Sequence, residues 1–340
     1  MRRPNAYIVI ACALAIVALA VVFLRRDQLI ELIETMQRGN LLLLVMAVGC
    51  QFGKYTFQAN GYAAAFRTVG DPTSPRHMLP LVFCSYFMNV IAPSFNTAGV
   101  LLVIDDARQR GVPAGRSTSA ALLMQITVIT GFLVIMVIGF IVLAATQHMN
   151  VIWFLLGIVM VFMVGIMAGI MYIGSNDPQA MVKLLSPLER LANRVSSRLR
   201  KGKLLDPWVQ SLVESFSEAG LRIRENPRQA VSAFVFSTFA STCELLCFCL
   251  VCLAFNLNQP PMLVGGYVVG TLFSWVAITP QGAGVVEAML IVVLAAYGIN
   301  TTAATTVALA YRGIVFWMPF AIGAVLIHRL DSFRRRSRPE

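Results

Sequence analysis

The chain is a series of long apolar segments separated by short polar ones, and this pattern restricts its fold more than any single motif. The uninterrupted segments cover residues 5–24, 41–66, 118–146, 151–174, 226–256 and 303–328. Each has about 20 residues or more, the length that an α-helix needs to cross the hydrocarbon core of a bilayer. Only 13% of the residues are charged, against about 25% in an ordinary soluble domain. We therefore predict an all-α, polytopic membrane helical bundle with about six full spans.

Basic residues lie between the apolar segments and do not form one surface. The formal net charge is +11, and the positive-inside rule explains this distribution better than nucleic-acid binding does. No nucleic-acid partner is therefore expected. Arg2 and Arg3 precede residues 5–24, and Arg25 and Arg26 follow them. We interpret this first segment as an uncleaved anchor helix, because it continues apolar past its candidate cleavage site.

Two further apolar segments, residues 78–103 and 262–297, contain polar or helix-breaking residues. These are Asn89, Pro93, Asn96 and Gly99 in the first segment and Pro280, Gly282 and Gly284 in the second. Residues 284–297 would form a helix of roughly 21 Å, short of the ~30 Å hydrocarbon core. Non-helical backbone at membrane depth is tolerated only where protein buries it or a polar cavity borders it. The pattern predicts two broken re-entrant hairpins.

The two halves of the chain resemble each other after a shift of 187 residues. The shift pairs Pro93 with Pro280, Gly111 with Gly298, Thr118 with Thr305, Ala121 with Ala308, Leu122 with Leu309 and Val128 with Val315. Opposed hairpins at matching places are typical of inverted-repeat transporters, whose site lies at the repeat interface. We predict an N-terminal membrane half (1–174), a cytoplasmic amphipathic connector (175–228), a C-terminal membrane half (229–330) and a basic tail (331–340).

Charge alone leaves two topologies open. If both broken segments are re-entrant, six spans remain, both termini are cytoplasmic, and 22 Lys and Arg residues lie inside against 3 outside. If every apolar segment crosses, nine spans place the N-terminus outside and give 21 against 4. Both distributions satisfy the positive-inside rule. The short segment 284–297 favours the six-span alternative.

Four ionisable residues lie inside the predicted spans: Lys54, Glu244, Glu287 and Arg312. Such charges cost at least a few kcal/mol each, so they tend to be paired or to line a polar path. The simplest pair is Glu287 with Arg312. It would serve either as a salt bridge that only fixes the hairpin or as part of a binding site. The shift of 187 pairs Arg312 with Gln125, so we expect charges at the site from the second half only.

The second hairpin suggests a place for an anionic group. A half-helix that begins after Pro280 would point free N–H groups into the protein interior, where a lipid phosphate is well placed. Arg312 would add charge-assisted hydrogen bonds, and Gly282 and Gly284 would allow close approach of the backbone. Glu287 would act as a charge partner or a proton carrier. Secondary candidates are Lys54, Glu244, Pro93, Asn96 and Pro280.

Motifs of catalytic and metal sites are lacking in the sequence. It contains no Walker loop, no HExxH and no GxSxG in a strand context, and we predict no catalytic residue, metal or cofactor. Asp105 and Asp106, followed by Arg108, are interpreted as a charge cluster at the end of a span. The cysteines at 243, 247, 249 and 252 have no neighbouring His and are interpreted as packing residues.

Motifs in both halves resemble a known family. The pattern Thr279-Pro280-x-Gly282-x-Gly284-x-x-Glu287, then Gly298, Tyr311-Arg312 and Phe316-Trp317-x-Pro319-x-x-x-Gly323, is similar to the C-terminal signature of the flippase-like integral membrane family that includes the transmembrane domain of lysyl-phosphatidylglycerol synthase. Residues 93–113, with Ala98-Gly99, Arg108 and Arg110-Gly111-Val112-Pro113, are similar to its N-terminal motif. The resemblance implies a multispan bundle with two internal hairpins that translocates an anionic lipid between leaflets.

The chain also departs from that family. Some members carry an acidic residue after the glycine that corresponds to Gly99. The aminoacyl-transferase domain of the synthase is lacking in this sequence, so we do not expect lysyl transfer.

Three functions remain open from the sequence. The first is a flippase-like protein of the bacterial plasma membrane that binds or translocates an anionic phospholipid or polyprenyl-linked lipid, alone, as a homo-oligomer or with a membrane-protein partner. The second is a membrane-embedded synthase or accessory subunit for lipid-linked glycosyl or aminoacyl transfer, which a cytoplasmic cavity beside Asp105 and Asp106 would favour. The third is a non-transporting scaffold, which a solidly packed interior around Glu287 and Arg312 would favour.

Overall fold

The computed structural model describes residues 39–91, 97–146, 151–177, 209–277 and 279–327, with five further positions between 179 and 187. All elements in these ranges are helical, which confirms the predicted all-α class. The helices are α1 (Leu41–Thr68), α2 (Pro75–Ile91), α3 (Thr97–Gln109), α4 (Ala114–Ala145), α5 (Val151–Asn176), α6 (Val209–Glu225), α7 (Pro227–Ala254), α8 (Pro260–Val276), α9 (Val285–Ala296), α10 (Thr301–Arg312) and α11 (Met318–Leu326), with a 3₁₀ turn (Pro280–Gly282) before α9 and a π-helical turn (Gly313–Trp317) before α11.

Five helices are long and apolar enough to cross a membrane. They are α1, α4, residues Val151–Gly169 of α5, α7, and the continuous helix Thr301–Leu326 that α10, the π turn and α11 form together. These five match five of the six predicted full spans. The sixth prediction, residues 5–24, lies outside the described residues. The protein is therefore a multi-pass membrane protein.

The two interrupted segments each form a pair of short helices. The first segment forms α2 and α3, and residues 92–96 between them, including Pro93 and Asn96, lie outside the described part of the chain. The second forms α8 and α9, joined by the 3₁₀ turn. With 12 residues, α9 is about 18 Å long, shorter than the ~30 Å core of a bilayer.

The helix starts follow sequence signals. Asn40 caps α1, since its Oδ1 accepts the N–H of Leu42 at 3.1 Å, and Asn300 caps α10 through the N–H of Ala303 at 2.8 Å. Pro227 opens α7, at the first turn where a missing N–H loses no hydrogen bond. The two asparagine caps satisfy N–H groups that have no partner within the first turn of a helix.

The order of α1 to α4 recurs in α7 to α11 as long, short, short and long helices. The starts of corresponding helices differ by 185 to 188 residues, close to the shift of 187 that relates the two halves of the sequence.

The corresponding helices α1 and α7 pack together and run antiparallel. At one end, the N–H of Asn40 donates to the carbonyl of Ala254 at 2.9 Å. At the other end, the Cα of Gly61 faces Ala233, whose carbonyl oxygen would lie 3.7 Å from an added Cβ. The start of α1 thus meets the end of α7. Residues at corresponding positions of the two helices therefore lie at opposite ends of the contact.

Each half contacts the short helices of the other half. In one contact, α4 crosses α8 at Gly139, where an added Cβ would lie 2.5 Å from Val268 Cγ2. In the other, α11 crosses α2 at Gly323, where an added Cβ would lie 2.4 Å from the carbonyl oxygen of Phe83. Glycine at these two positions permits the close approaches, so each pair of short helices packs against a long helix of the other half.

The connector ends in α6, which packs on α4 and α5. Val209 and Val213 of α6 are buried, and Arg224 Nη2 donates to Asn176 Oδ1 at 2.5 Å. Residues 188–208 and the basic tail lie outside the described residues.

Candidate functional site

The break between α8 and α9 requires left-handed backbone. Gln281, Gly282 and Gly284 have φ values of 51°, 68° and 86°, a region that residues with a Cβ seldom occupy. Gly282 is also confined, because an added Cβ would lie 2.6 Å from Val286 Cγ2 and 3.0 Å from Ser274 Cα. Gly284 has open space around it. The sequence thus places glycine where the turn needs it.

Arg312 ends α10 just before the π-helical turn. Within this turn, the N–H of Met318 donates to the carbonyl of Gly313. Pro319 explains the local widening, because a proline ring in a regular α-helix would clash with the carbonyl four residues earlier. Such π turns are rare and occur often at functional sites. Here the turn follows a buried arginine, of which only 6% is exposed.

The guanidinium of Arg312 binds the broken hairpin at two points. Its Nε lies 3.1 Å from Glu287 Oε1, the pairing that the sequence predicts, and its Nη2 donates to the carbonyl of Gln281 at 3.1 Å. Its Cζ lies 4.6 Å from the centre of the Phe316 ring. Glu287 Oε2 also accepts the N–H of Gly284 at 2.8 Å. The pair therefore connects the start of α9 to α10.

A second buried ion pair joins α1 to α7, since Lys54 Nζ contacts Glu244 Oε1. Two aromatic rings face the ammonium group, with the centre of Tyr86 at 5.3 Å and that of Tyr55 at 5.7 Å. The hydroxyl of Tyr267 lies 3.4 Å from Glu244 Oε2 and 3.2 Å from the carbonyl oxygen of Ser241. The sequence marked both charged residues as candidates but did not pair them.

Both ion pairs border one cavity of about 170 Å³ at the contact between the halves. Arg312, Lys54 and Glu244 line it, which corrects the expectation that only the second half supplies charges, because Lys54 belongs to the first half. Its uncharged polar wall is formed by Gln58, Tyr62, Ser85, Tyr86, Asn89, Gln125, Ser237, Ser241, Tyr267, Thr271, Ser274, Gln281 and Tyr311. The wall can therefore hold a polar or charged group inside the bundle.

The cavity wall takes corresponding positions from both halves. Nine pairs of lining residues are separated by 185 to 187 residues, the offsets that also relate their helices. The pairs are Val82 and Tyr267, Ser85 and Gly270, Tyr86 and Thr271, Asn89 and Ser274, Lys54 and Ala240, Gln58 and Glu244, Gly99 and Val286, Gln125 and Arg312, and Val128 and Val315.

The first hairpin contributes hydrogen bonds at Gly99. Its N–H donates to Asn89 Oδ1 at 2.7 Å, and its carbonyl accepts the Ser85 hydroxyl at 3.1 Å. Ser85 and Asn89 thereby bind α2 to α3 beside the cavity. Ser85 and Gln58 were not predicted from the sequence, although one signal marks them: polar residues recur four positions apart at Lys54 and Gln58 and at Ser85 and Asn89, on single helix faces.

Asp106 belongs to a polar network at the end of α3, outside the five spanning segments. Its Oδ2 lies 2.9 Å from His77 Nε2 and 3.0 Å from Arg110 Nε. Arg110 also contacts Asp71 Oδ2 at 3.1 Å and Thr73 Oγ1 at 2.9 Å. Burial raises the pKa of Asp106, but the hydrogen bonds and charges of His77 and Arg110 outweigh it and hold the pKa below its usual value. This network ties the loop between α1 and α2 to α2 and α3, as a charge cluster at the end of a segment would.

The cysteines of α7 lie mainly in its packed face. Cys247 and Cys252 are buried in the core with Phe248 and Val251. In the described part of the chain no three His, Cys, Asp or Glu residues are grouped so that they could hold a metal ion.

Comparison with known proteins places this architecture in one family. Curated proteins give no match. A family model described as the lysylphosphatidylglycerol synthase transmembrane region matches residues 8–323, which include every helix that lines the cavity. The chain belongs to the family of the lysylphosphatidylglycerol synthase transmembrane region.

Proposed function

We propose that the protein binds the anionic headgroup of a lipid in the central cavity and moves it between the leaflets of the bacterial plasma membrane. The observation that carries this proposal is Arg312, a buried arginine that lines the cavity while the broken hairpin holds it in place. The lipid class is a phospholipid or a polyprenyl-linked lipid, since both present a phosphate.

The chemistry of Arg312 supports an anionic ligand. A guanidinium has five N–H donors, and the contacts with Glu287 and Gln281 use two of them. Further donors can serve a phosphate, with which arginine forms short charge-assisted hydrogen bonds. Gly282 and Gly284 are not among the residues that line the cavity, and the N–H of Gly284 already donates to Glu287, so the proposed headgroup site rests on Arg312. Of the two roles predicted for Glu287, these contacts support that of charge partner.

The arrangement of the helices supports translocation. In inverted-repeat transporters the substrate site lies at the repeat interface near the bilayer midplane, and one repeat moves against the other. The antiparallel contact of α1 and α7 supports such a repeat, as do the nine matched pairs of lining residues. The antiparallel contact of α1 and α7 also supports the topology with six spans, in which these helices are the second and the fifth span. With nine spans they would be the second and sixth and would run in the same direction. The six-span topology places both termini in the cytoplasm.

The two other functions have less support. A scaffold would have a packed interior at Arg312, whereas Arg312 lines a cavity. A synthase would have its cavity beside Asp105 and Asp106, yet Asp106 is engaged by His77 and Arg110, and the cavity borders α1, α7 and α10.

A lipid-scrambling assay tests the proposal. Purified protein is reconstituted into liposomes with fluorescent phosphatidylglycerol, and the label in the outer leaflet is bleached with dithionite over time. The wild type should expose inner-leaflet label to bleaching, and Arg312→Gln should reduce this rate at least tenfold. Arg228→Gln is the matched control, because Arg228 is exposed at the start of α7. Equal rates for wild type and Arg312→Gln would remove Arg312 from the mechanism.

A further inference from the structure

The ion pair of Lys54 and Glu244 lies in the same cavity as Arg312, and its position suggests how binding is coupled to protons. We propose that Lys54 is a second binding residue for the anionic group and that Glu244, its counter-ion, takes up one proton when the anion binds. This inference rests on the proposed function, because it assumes an anionic ligand in the cavity.

Charge balance is the first argument. Lys54 and Arg312 are each paired with one carboxylate, Glu244 and Glu287, so the four side chains sum to zero. One monoanion would leave a net negative charge inside the bundle. An uncompensated charge in a poorly solvated interior is strongly disfavoured. Protonation of one carboxylate restores neutrality and lets both cations contact the anion.

The contacts of the two carboxylates identify the acceptor. Glu287 binds Arg312 and also the N–H of Gly284 at the start of α9, and the positive end of a helix favours its ionised form. Glu244 lies in the middle of α7, away from the helix ends, and Lys54 is its ion-pair partner. If the anion draws Lys54 away, Glu244 loses its counter-charge, whereas Glu287 keeps its hydrogen bond from the N–H of Gly284 at the start of α9.

Lys54 is also the more mobile of the two cations. An ammonium is a point charge on a flexible stem, whereas a guanidinium fork is held by its geometry. Arg312 is further fixed by the backbone carbonyl of Gln281. Lys54 can therefore turn from Glu244 to the ligand and remain above the Tyr86 ring, which attracts a cation in either position.

The surroundings of Glu244 are suited to a neutral carboxyl group. The titratable and charged groups around it are Lys54 and Tyr55 on α1, Tyr86 on α2, Cys247 on α7, Tyr267 on α8, and Tyr311 and Arg312 on α10. A protonated carboxyl gains an O–H donor, and the hydroxyl oxygen of Tyr267, 3.4 Å from Oε2, can accept it. The proton comes from water in the cavity, which the 18% exposed side chain of Glu244 lines. It returns to water when the anion leaves.

Calorimetry of the full chain measures this proton directly. Protein in phosphatidylcholine nanodiscs is titrated with dihexanoyl phosphatidylglycerol, whose phosphodiester keeps one negative charge at the pH values used. Titrations at one pH in buffers of different ionisation enthalpy give the number of protons taken up. We expect about one proton per lipid, and a Kd that rises about tenfold per pH unit as the pH increases. Glu244→Gln should abolish proton uptake and bind more tightly than the wild type at pH 8, because Lys54 is already released.

Each outcome decides the proposal. Lipid binding without proton uptake by the wild type would overturn the coupling and leave the proposed function standing. Proton uptake that persists in Glu244→Gln would overturn the assignment to Glu244. A Kd that follows Na⁺ at constant ionic strength and not pH would overturn the coupling to protons. Equal affinity for dihexanoyl phosphatidylcholine would instead contradict the proposed function. If Glu244→Gln does not fold, the double variant Lys54→Gln, Glu244→Gln replaces it and should bind more weakly, again without proton uptake.

Discussion

Lys54 and Glu244 form an ion pair across the contact of α1 and α7, two helices that hold corresponding places in the two halves of the protein. The two residues are 190 positions apart in the chain. Together with the hydrogen bond between Asn40 and Ala254, the pair fixes the antiparallel direction of these helices. It also gives each half one cation at the shared cavity, because Arg312 belongs to the second half.

Removal of one partner of this pair should destabilise the protein. Lys54→Gln leaves Glu244 without its counter-charge, so Glu244 must take up a proton or stay ionised alone, a change that costs about 3–5 kcal/mol for a buried pair. We expect a clear fall in the thermal midpoint of the purified protein, measured by intrinsic fluorescence. The double variant Lys54→Gln, Glu244→Gln should recover most of the loss, because no unpaired charge remains. A double variant as unstable as the single one would show that packing, and not the charge pair, governs this contact.

The turn before α9 gives a graded prediction. Gly282→Ala and Gly284→Ala both place a Cβ on backbone with positive φ, which costs on the order of 1–3 kcal/mol each. Gly282→Ala should lower the midpoint further, because its Cβ also overlaps Val286 and the backbone of Ser274. Gly49→Ala is the control, since Gly49 lies in α1 with open space around its Cα. The expected order of midpoints is Gly49→Ala above Gly284→Ala above Gly282→Ala. Equal midpoints for the last two would contradict the packing described for Gly282.

The network at Asp106 predicts a dependence on pH. Its folded-state pKa lies below the usual value, so the carboxylate stabilises the fold above the unfolded pKa, about 3.9. This contribution is lost as the pH falls through the folded pKa. The midpoint of the wild type should therefore fall more steeply between pH 5 and pH 3 than that of Asp106→Asn, which has no such carboxylate to titrate. Asp105→Asn, at the neighbouring position on α3, should keep the wild-type slope. Parallel plots of the thermal midpoint against pH for the wild type and Asp106→Asn would contradict a stabilising role of the Asp106 network.

The sequence predicts the spans and one of the two ion pairs, for a physical reason. Apolar length determines whether a helix can cross a bilayer, so α1, α4, α5, α7 and the helix from Thr301 can be read from the chain. Glu287 and Arg312 lie on consecutive helices joined by a short turn, which restricts their separation. Lys54 and Glu244 meet only because α1 packs on α7 in one direction and at one register, and neither is encoded locally. The π turn likewise depends on how the helix accommodates Pro319.

The position of a bound lipid tests the central claim most directly. A cryo-EM structure of the full chain in nanodiscs that contain phosphatidylglycerol would locate the headgroup. We predict phosphate density in the central cavity, about 2.7–2.9 Å from the guanidinium nitrogens of Arg312, and loss of that density in Arg312→Gln. A cavity without lipid density in the wild type, with phosphatidylglycerol bound only on the outer surface of the bundle, would contradict the account.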